Sequence, residues 1–391
     1  MTAEIAILNR RGIALAADSA LTINNNKVLN SAVKLFTLDS AHYIGIMIYG
    51  NADFMDVPWE VILKTFREKI KNNVQDSVED YVKELFKHIK SLKPWTRTSE
   101  INRMVQHYMV DVISGIDSNR DNDTNLYQNT LNLCNSINSD GKFYVNRRDF
   151  VKSFSPTLKE YYNKHYGNND QESANLFVEC VYKALSGSTI HSSNQTGLVV
   201  AGYGSSEVFP SIIEAKIDGI LGENIKYEIN GKHSTDPRKN DLISSIRPFA
   251  QQEMVLTAVT GINPDLNNYR VEQLNGLISK LSNLDGINEE DRETVRSLVQ
   301  ANNDDFEDYR RKEYTDPVTN MLNSLSISEL GDMAETLVSL TSFRRKFSGD
   351  MQTVGGPVDV LVISRSDGPV WIKRKKYFTS EMNEGYKLRR R

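Results

Sequence analysis

Cysteine is almost absent from this chain: its 391 residues contain two, Cys134 and Cys180. That scarcity excludes the disulfide framework of a small secreted domain, and two isolated thiols read as buried small hydrophobes. Histidine is nearly as rare, with six residues at His42, His88, His107, His165, His191 and His233. They form no HxxxH pair and have no cysteine at ligand spacing, so nothing local points to zinc or to a Ser-His-Asp triad, although such residues can meet in space. No metal and no cofactor is expected. Long apolar runs are missing too, none approaching the ~20 residues that cross a bilayer. The opening "MTAEIAIL" lacks the basic region and apolar core of a secretory signal, and the expected location is cytoplasmic. A formal net charge of −4 gives no reason to expect nucleic acid or an anionic membrane as partner. What remains is ordinary for a soluble globular protein: 39% hydrophobic and 25% charged residues.

Strand and helix patterns alternate along the chain. "TAEIAIL" and "GIALAA" read as two strands joined by a tight turn at "NRRG", and "KLFTLD" with "YIGIMIYG" as a second hairpin turning at "SAH". The period then changes to that of a helix in "VPWEVILKTFREKIKN", with Val61, Ile62, Thr65, Phe66 and Lys69 on one face, Pro58 in the first turn and Asp56 as the cap. Residues 75–190 are mostly helical in pattern, "TGLVVAGYGSSEVFPSIIEAKIDG" returns to strands, and 248–347 is helical again. "GPVDVLVISRSDGPVWIKR" closes as a hairpin over "SRSDG". Two sheets sharing helical layers satisfy this order.

The chemistry gathers near the amino terminus. Thr2 follows a methionine that a small second residue normally allows to be removed. A chain beginning with threonine holds a hydroxyl nucleophile and a free α-amine on one residue, and that amine, with an unperturbed pKa near ~8, suits a general base. The first hairpin returns the end of its second strand, and with it Asp18, toward residue 2. Lys34 opens the next strand, where an ammonium can lower the hydroxyl pKa and orient the amine. Taken singly, a strand-end lysine is more often a solvated side chain lying over apolar surface.

In "TAEIAILNRRGIALAADSALT…KLFTLD…GIMIYGNAD" the chain resembles the proteasome β-subunit family of N-terminal nucleophile hydrolases, and among them the simple bacterial proteasome-like peptidases that also begin Met-Thr. The resemblance runs over about 1–70, 195–260 and 330–375. It implies a four-layer αββα sandwich, one proteasome-like domain over 1–391, with helical insertions at 75–190 and 265–330 and a basic tail at 376–391. It implies Thr2 as nucleophile, Asp18 and Lys34 as its charged partners, and the Gly50 N–H as oxyanion donor. Thr22 and Ile48 would contact substrate. A distal D-x-x-[ST]-G-G motif is approximated by "DMQTVGG", which brings in Asp350 and Thr353 with one extra residue before Gly355 and Gly356. The family's G-S-G segment has no counterpart in "DLISSIRPFAQQEMV", where Ser244 and Ser245 are unassigned.

The activity so implied is a threonine-type endopeptidase acting through an acyl-enzyme on peptide or unfolded protein, as a homo-oligomeric ring or spiral, with an ATP-dependent unfoldase as a possible partner. Two alternatives use the same residues differently: a non-catalytic assembly subunit, and an amidohydrolase of small amides. "DSNRDNDTN" from Asp117 imitates a calcium loop but lacks the glycine at its sixth position and has Gln128 at its twelfth, so it reads as a polar loop. The tail "KRKKYFTSEMNEGYKLRRR" reads as solvated, with partner docking the sharper alternative.

Overall fold

The computed structural model describes residues 2–23, 27–38, 40–92, 98–118, 125–137, 145–167, 170–187, 194–221, 224–239, 242–282, 288–348 and 354–376. Its first two strands, β1 (Ala3–Asn9) and β2 (Gly12–Ala17), form the expected hairpin, with Asn9 paired to Gly12 across a two-residue turn. Asn9 is the reason the turn is tight. Its Oδ1 accepts from the backbone N–H of Arg11 at 2.8 Å and of Gly12 at 3.3 Å. Its Nδ2 donates to the carbonyls of Leu322 and Leu325 at 2.9 and 3.0 Å, tying the turn to a distant helix end. Gly12 is required by space, because a Cβ there would lie 2.5 Å from the Ile363 carbonyl oxygen.

A short ribbon follows, β3 (Leu21–Ile23) against β4 (Lys27–Leu29), and then the second hairpin, β5 (Leu35–Thr37) with β6 (Ile44–Gly50). The two-residue strands β7 (Asp53–Phe54) and β8 (Val57–Pro58) lead into α1 (Trp59–Ile70). Helices α2 (Val78–Ser91), α3 (Thr98–Ser118), α4 (Leu126–Ser136), α5 (Arg147–Tyr166) and α6 (Gln171–Ser186) come next. The chain returns to strands at β9 (Thr196–Gly202), β10 (Ser211–Leu221), β11 (Asn224–Ser234) and β12 (Ser245–Ala250). It continues through α7 (Glu253–Thr260), α8 (Pro264–Ser282), α9 (Glu289–Arg310), α10 (Asp316–Leu322) and α11 (Ile327–Phe347), and ends in β13 (Asp359–Ser364) and β14 (Gly368–Lys373). The described residues form a mixed α/β structure with two five-stranded sheets, β12-β1-β2-β13-β14 and β11-β10-β9-β6-β5.

Two compact units make up the chain, and their division falls inside β6. The first comprises residues 1–47, 207–210 and 234–391. In it α11 covers β1, β2 and β13, burying Ile5, Ile7, Ala14, Ala16, Val360 and Val362 against Leu330, Ala334, Leu337 and Val338. The opposite face of the same sheet is also covered. A Cβ on Gly45 of β6 would lie 2.7 Å from Leu15 and 2.9 Å from Leu361. With both faces buried, β1, β2 and β13 have no solvent side to mark with polar residues, which is why they read as continuous apolar runs. A capping box from Ser326 and Glu329 starts α11.

The second unit, residues 48–206 and 211–233, sets α2 on β9 and β10. Helices α3 to α6 build a separate core from Tyr108, Ile116, Phe150, Tyr162, Phe177 and Val181. The helices described within 75–190 therefore divide into α2, which packs on the sheet, and four that share a core of their own while touching the sheet through Tyr108–Asp218 and Lys226–Ala184. Both cysteines lie in that second core, free and buried.

Three local expectations are corrected. The buried face of α1 is Trp59, Ile62, Leu63, Phe66 and Ile70, while Val61 is exposed, because the Trp59 indole anchors the helix by donating to Thr196 Oγ1 at 3.0 Å. Asp56 does not cap that helix; its φ is 64° and its carboxylate pairs with Arg103. Residues 248–250 are strand rather than helix, since β12 completes the sheet edge beside β1.

Candidate active site

The site grows from the ends of β1 and β2. Antiparallel pairing places Ala17 opposite Glu4, so Asp18 emerges beside Ala3 and the backbone closes there, Asp18 N–H donating to the Ala3 carbonyl at 3.1 Å. The Asp18 carboxylate is fully buried and fully engaged. Its Oδ1 accepts from Ala3 N–H at 3.2 Å, and its Oδ2 accepts from Ala20 N–H at 3.3 Å and Gly355 N–H at 2.9 Å. Lys34 Nζ also donates to Oδ1. Three backbone donors and the Lys34 side chain therefore occupy both oxygens of this carboxylate.

Lys34 is itself buried and contacts a second acid: its Nζ lies 3.5 Å from Glu4 Oε1. Glu4 is the residue that sequence reasoning missed. Thr2 and Glu4 are two apart on an extended segment, so their side chains share a face, and Thr2 Oγ1 donates to Glu4 Oε2 at 2.8 Å. The available signal was that period-two placement of an acid beside the candidate nucleophile, inside a strand that is otherwise apolar. Burial pushes the Glu4 carboxyl up to about 7, with Asp18 adding to the rise and Lys34 and the Thr2 hydroxyl opposing it. A carboxyl raised in the folded state binds its proton more tightly there than in the unfolded chain. Its contribution to stability is therefore full below its ordinary 4.5 and is lost as pH rises through about 7.

Of Thr2, Asp18 and Lys34, expected to meet, Lys34 contacts Asp18 directly, while Thr2 is linked to Lys34 through Glu4. The Gly355–Gly356 pair of the distal motif joins them: Ser19 N–H donates to the Gly355 carbonyl at 3.1 Å. Gly356 has φ 76°, and a Cβ on it would lie 2.9 Å from Asn30 Cβ. Asp350 and Thr353 lie outside the described residues. Thr22 is in β3, opposite Val28. Gly50, with φ 80°, and Ile48 belong to the second unit, where a Cβ on Gly50 would lie 2.7 Å from the Gln195 carbonyl oxygen.

Ser244 and Ser245 are not in the site. Ser245 pairs with Leu8, whereas Ala250 at the other end of β12 pairs with Ala3, roughly 17 Å away at strand rise. The segment beside Thr2 is instead Ala250–Gln251. Ala250 has φ 59°, a left-handed conformation that favours glycine, and Gln251 N–H donates to the Thr2 carbonyl at 3.3 Å. Among the described residues no group of three or more His, Cys, Asp or Glu side chains could hold a metal ion, and no helix is long and apolar enough to cross a membrane.

No family model matches the chain, and no curated protein matches it. Solved structures similar to it include Anbu (Gly-1) mutant from Hyphomicrobium sp. strain MC1, at 9% identity and TM-score 0.35 over 100% of this chain and 94% of that one. Anbu (ancestral beta-subunit) from Yersinia bercovieri is similar at 9% identity and TM-score 0.35, over 99% of this chain and 94% of that one. The helical assembly of the Anbu complex from Pseudomonas aeruginosa is similar at 11% identity and TM-score 0.30, over 99% and 93%. At such scores the likeness carries no argument about this chain. The resemblance to the proteasome β-subunit family, and to its simple bacterial peptidases, is accordingly not upheld: no family model or curated relative supports it, and the similar structures are Anbu proteins at low scores. The physical reason is the small size of the motifs. A strand-end aspartate, a lysine and a tight-turn glycine are also what a buried, ion-paired hairpin needs to close.

Proposed function

We propose that the protein is a threonine-type hydrolase that cleaves peptide bonds through Thr2, working as a subunit of a homo-oligomeric, proteasome-like assembly. The observation that carries this reading is the buried cluster in which the Thr2 hydroxyl donates to one carboxylate while Lys34 neutralises that carboxylate and a second. Burying two acids and a lysine beside a hydroxyl costs desolvation that a purely structural site avoids with apolar residues. The fold proposed for the chain is the αββα sandwich, one domain over 1–391 with helical insertions at 75–190 and 265–330.

In the reaction, Thr2 Oγ attacks the scissile carbonyl carbon, its proton leaves to a base, and the amine product departs with a proton as the C–N bond breaks. Water then attacks the Thr2 ester, with the free Thr2 amine taking its proton and returning it to Oγ. Lys34 offers a fixed positive charge where negative charge develops. Gly50 N–H is assigned to the oxyanion, Ile48 and Thr22 to substrate contact, and Asp350 and Thr353 to support of the nucleophile. Substrate is peptide or unfolded protein, for which an ATP-dependent unfoldase is a fitting partner.

The reading requires removal of Met1. Intact-mass analysis of an active preparation is expected to give a chain that begins at Thr2; an active chain carrying only Met1 would exclude the amine from the deacylation step.

Assembly is supported by apolar side chains that the monomer leaves exposed. In the first unit Leu266, Tyr269 and Leu277 of α8 and Leu298 of α9 are each at least half exposed, and α9 buries no residue among those described. Light scattering coupled to size exclusion is expected to show a multimer at micromolar concentration, closed or spiral. A fully active species of the 44.4 kDa chain mass would reject the assembly.

A further inference from the structure

Thr2 hydroxyl chemistry needs a base at the moment of attack, and the geometry names one that no motif assigns. We propose that Glu4 is a catalytic residue, the carboxylate that takes the Thr2 hydroxyl proton during acylation and gives it to the leaving amine. This rests on the reading of Thr2 as the nucleophile.

Asp18 spends both oxygens on three backbone N–H groups and Lys34, and no hydrogen bond connects it to the Thr2 hydroxyl. Lys34 Nζ is shared between the Asp18 and Glu4 carboxylates, and no hydrogen bond connects it to the Thr2 hydroxyl. The α-amine of the same threonine reaches its own hydroxyl only through a five-membered ring, whose N···H–O angle falls well below the ~150° that a good hydrogen bond prefers. Glu4 Oε2 has no such constraint and already receives the hydroxyl at 2.8 Å.

The other groups facing Glu4 leave it free to act. Phe249 stands opposite on β12. On β13, Asp359 flanks Ala17 on the side away from Glu4, and its oxygens are taken by Lys375 N–H at 2.7 Å and Lys375 Nζ at 2.8 Å. Glu4 Oε1 has no hydrogen-bond partner among the described residues and only the Lys34 charge at 3.5 Å. A buried carboxyl lifted to about 7 sits where a proton acceptor that must also donate performs best near neutral pH.

The step balances. As the Oγ–C bond forms, the hydroxyl proton passes to Glu4 Oε2. As the C–N bond breaks, that proton passes to the departing nitrogen and Glu4 is again a carboxylate. The Thr2 amine is left for the water of deacylation. Acylation and turnover should therefore separate.

The test follows Thr2 acylation by a peptide β-lactone, read by intact mass with peptide mapping, from pH 5 to 9. Three proteins are compared: the parent, Glu4→Gln, and a parent chain with an uncleaved residue ahead of Thr2. Expected for Glu4→Gln is a loss of about 100-fold or more in acylation rate, with the inflection near pH 7 gone. The blocked parent should acylate within a few-fold of the free one, with the same inflection, yet fail to turn over peptide. Glu4→Gln acylating at the parental rate overturns the proposal. So does a blocked parent that is not acylated while the free parent is, an arm that holds even if Glu4→Gln does not fold. No label on Thr2 in the free parent sinks the nucleophile assignment itself, and this proposal with it.

Discussion

Thr2→Ala is expected to lower kcat/KM for peptide hydrolysis by at least about 10³-fold while leaving the protein folded. The asymmetry comes from what the side chain does. As the proposed nucleophile its hydroxyl has no substitute, because no other hydroxyl among the described residues is bonded to Glu4. As a structural group it contributes one hydrogen bond to a carboxylate, worth about 1.5–3 kcal/mol at most. Losing that donor removes an influence that lowers the Glu4 carboxyl, which then carries its proton to higher pH. The cluster is still balanced, so Thr2→Ala should show thermal unfolding close to the parent's. Thr2→Ser keeps the hydroxyl and should retain measurable turnover. Hydrolysis by Thr2→Ala at near the parental rate would move the chemistry to another site.

Lys34→Met should remove activity and stability together. Lys34 is the cation contacting both Asp18 and Glu4, and all three side chains are buried. Methionine fills similar space and leaves two buried acids without their shared counter-ion, which costs about 3–5 kcal/mol. Without Lys34, which lowers the Glu4 carboxyl in the parent, buried Glu4 holds its proton to still higher pH in the folded state than in the unfolded one. The variant is therefore penalised most at pH 8 and regains stability as pH falls toward 5. Urea unfolding of parent and variant at both pH values measures this. An equal loss at pH 5 and pH 8 would show that the ammonium matters for packing and not for charge, and a Lys34→Met protein with parental turnover would separate the cluster from catalysis.

The N-terminal hairpin, the "SRSDG" hairpin and the meeting of Thr2, Asp18 and Lys34 were legible in the sequence for a local reason. A short turn, two residues in the first hairpin and three in the second, fixes the register of the strands it joins, so Ala17 lies opposite Glu4 and Asp18 follows. The helical runs were legible by period, but which face is buried was not. α1 turns Ile62 and Leu63 inward and Val61 outward because Trp59 is fixed to Thr196, a residue far along the chain. β11 and β12 are invisible to alternation: Lys226 is buried in one, and the other is half-buried along most of its length as an edge strand.

What the sequence determined by itself is a hydroxyl, an acid and a lysine placed at the ends of short apolar strands, since strand period and turn length are local properties. Tertiary structure alone decided which groups share the hydroxyl. The Gly355 N–H comes from near the other end of the chain to saturate Asp18. Phe249 and Gln251 are brought beside β1 by the pairing of β12. Glu4, which reads as a polar interruption in an apolar strand, becomes the partner of Thr2 because both faces of its sheet are covered. Burial removes the water that would otherwise hold that carboxylate ionised and apart, so its proton and the Thr2 hydroxyl become its means of satisfaction.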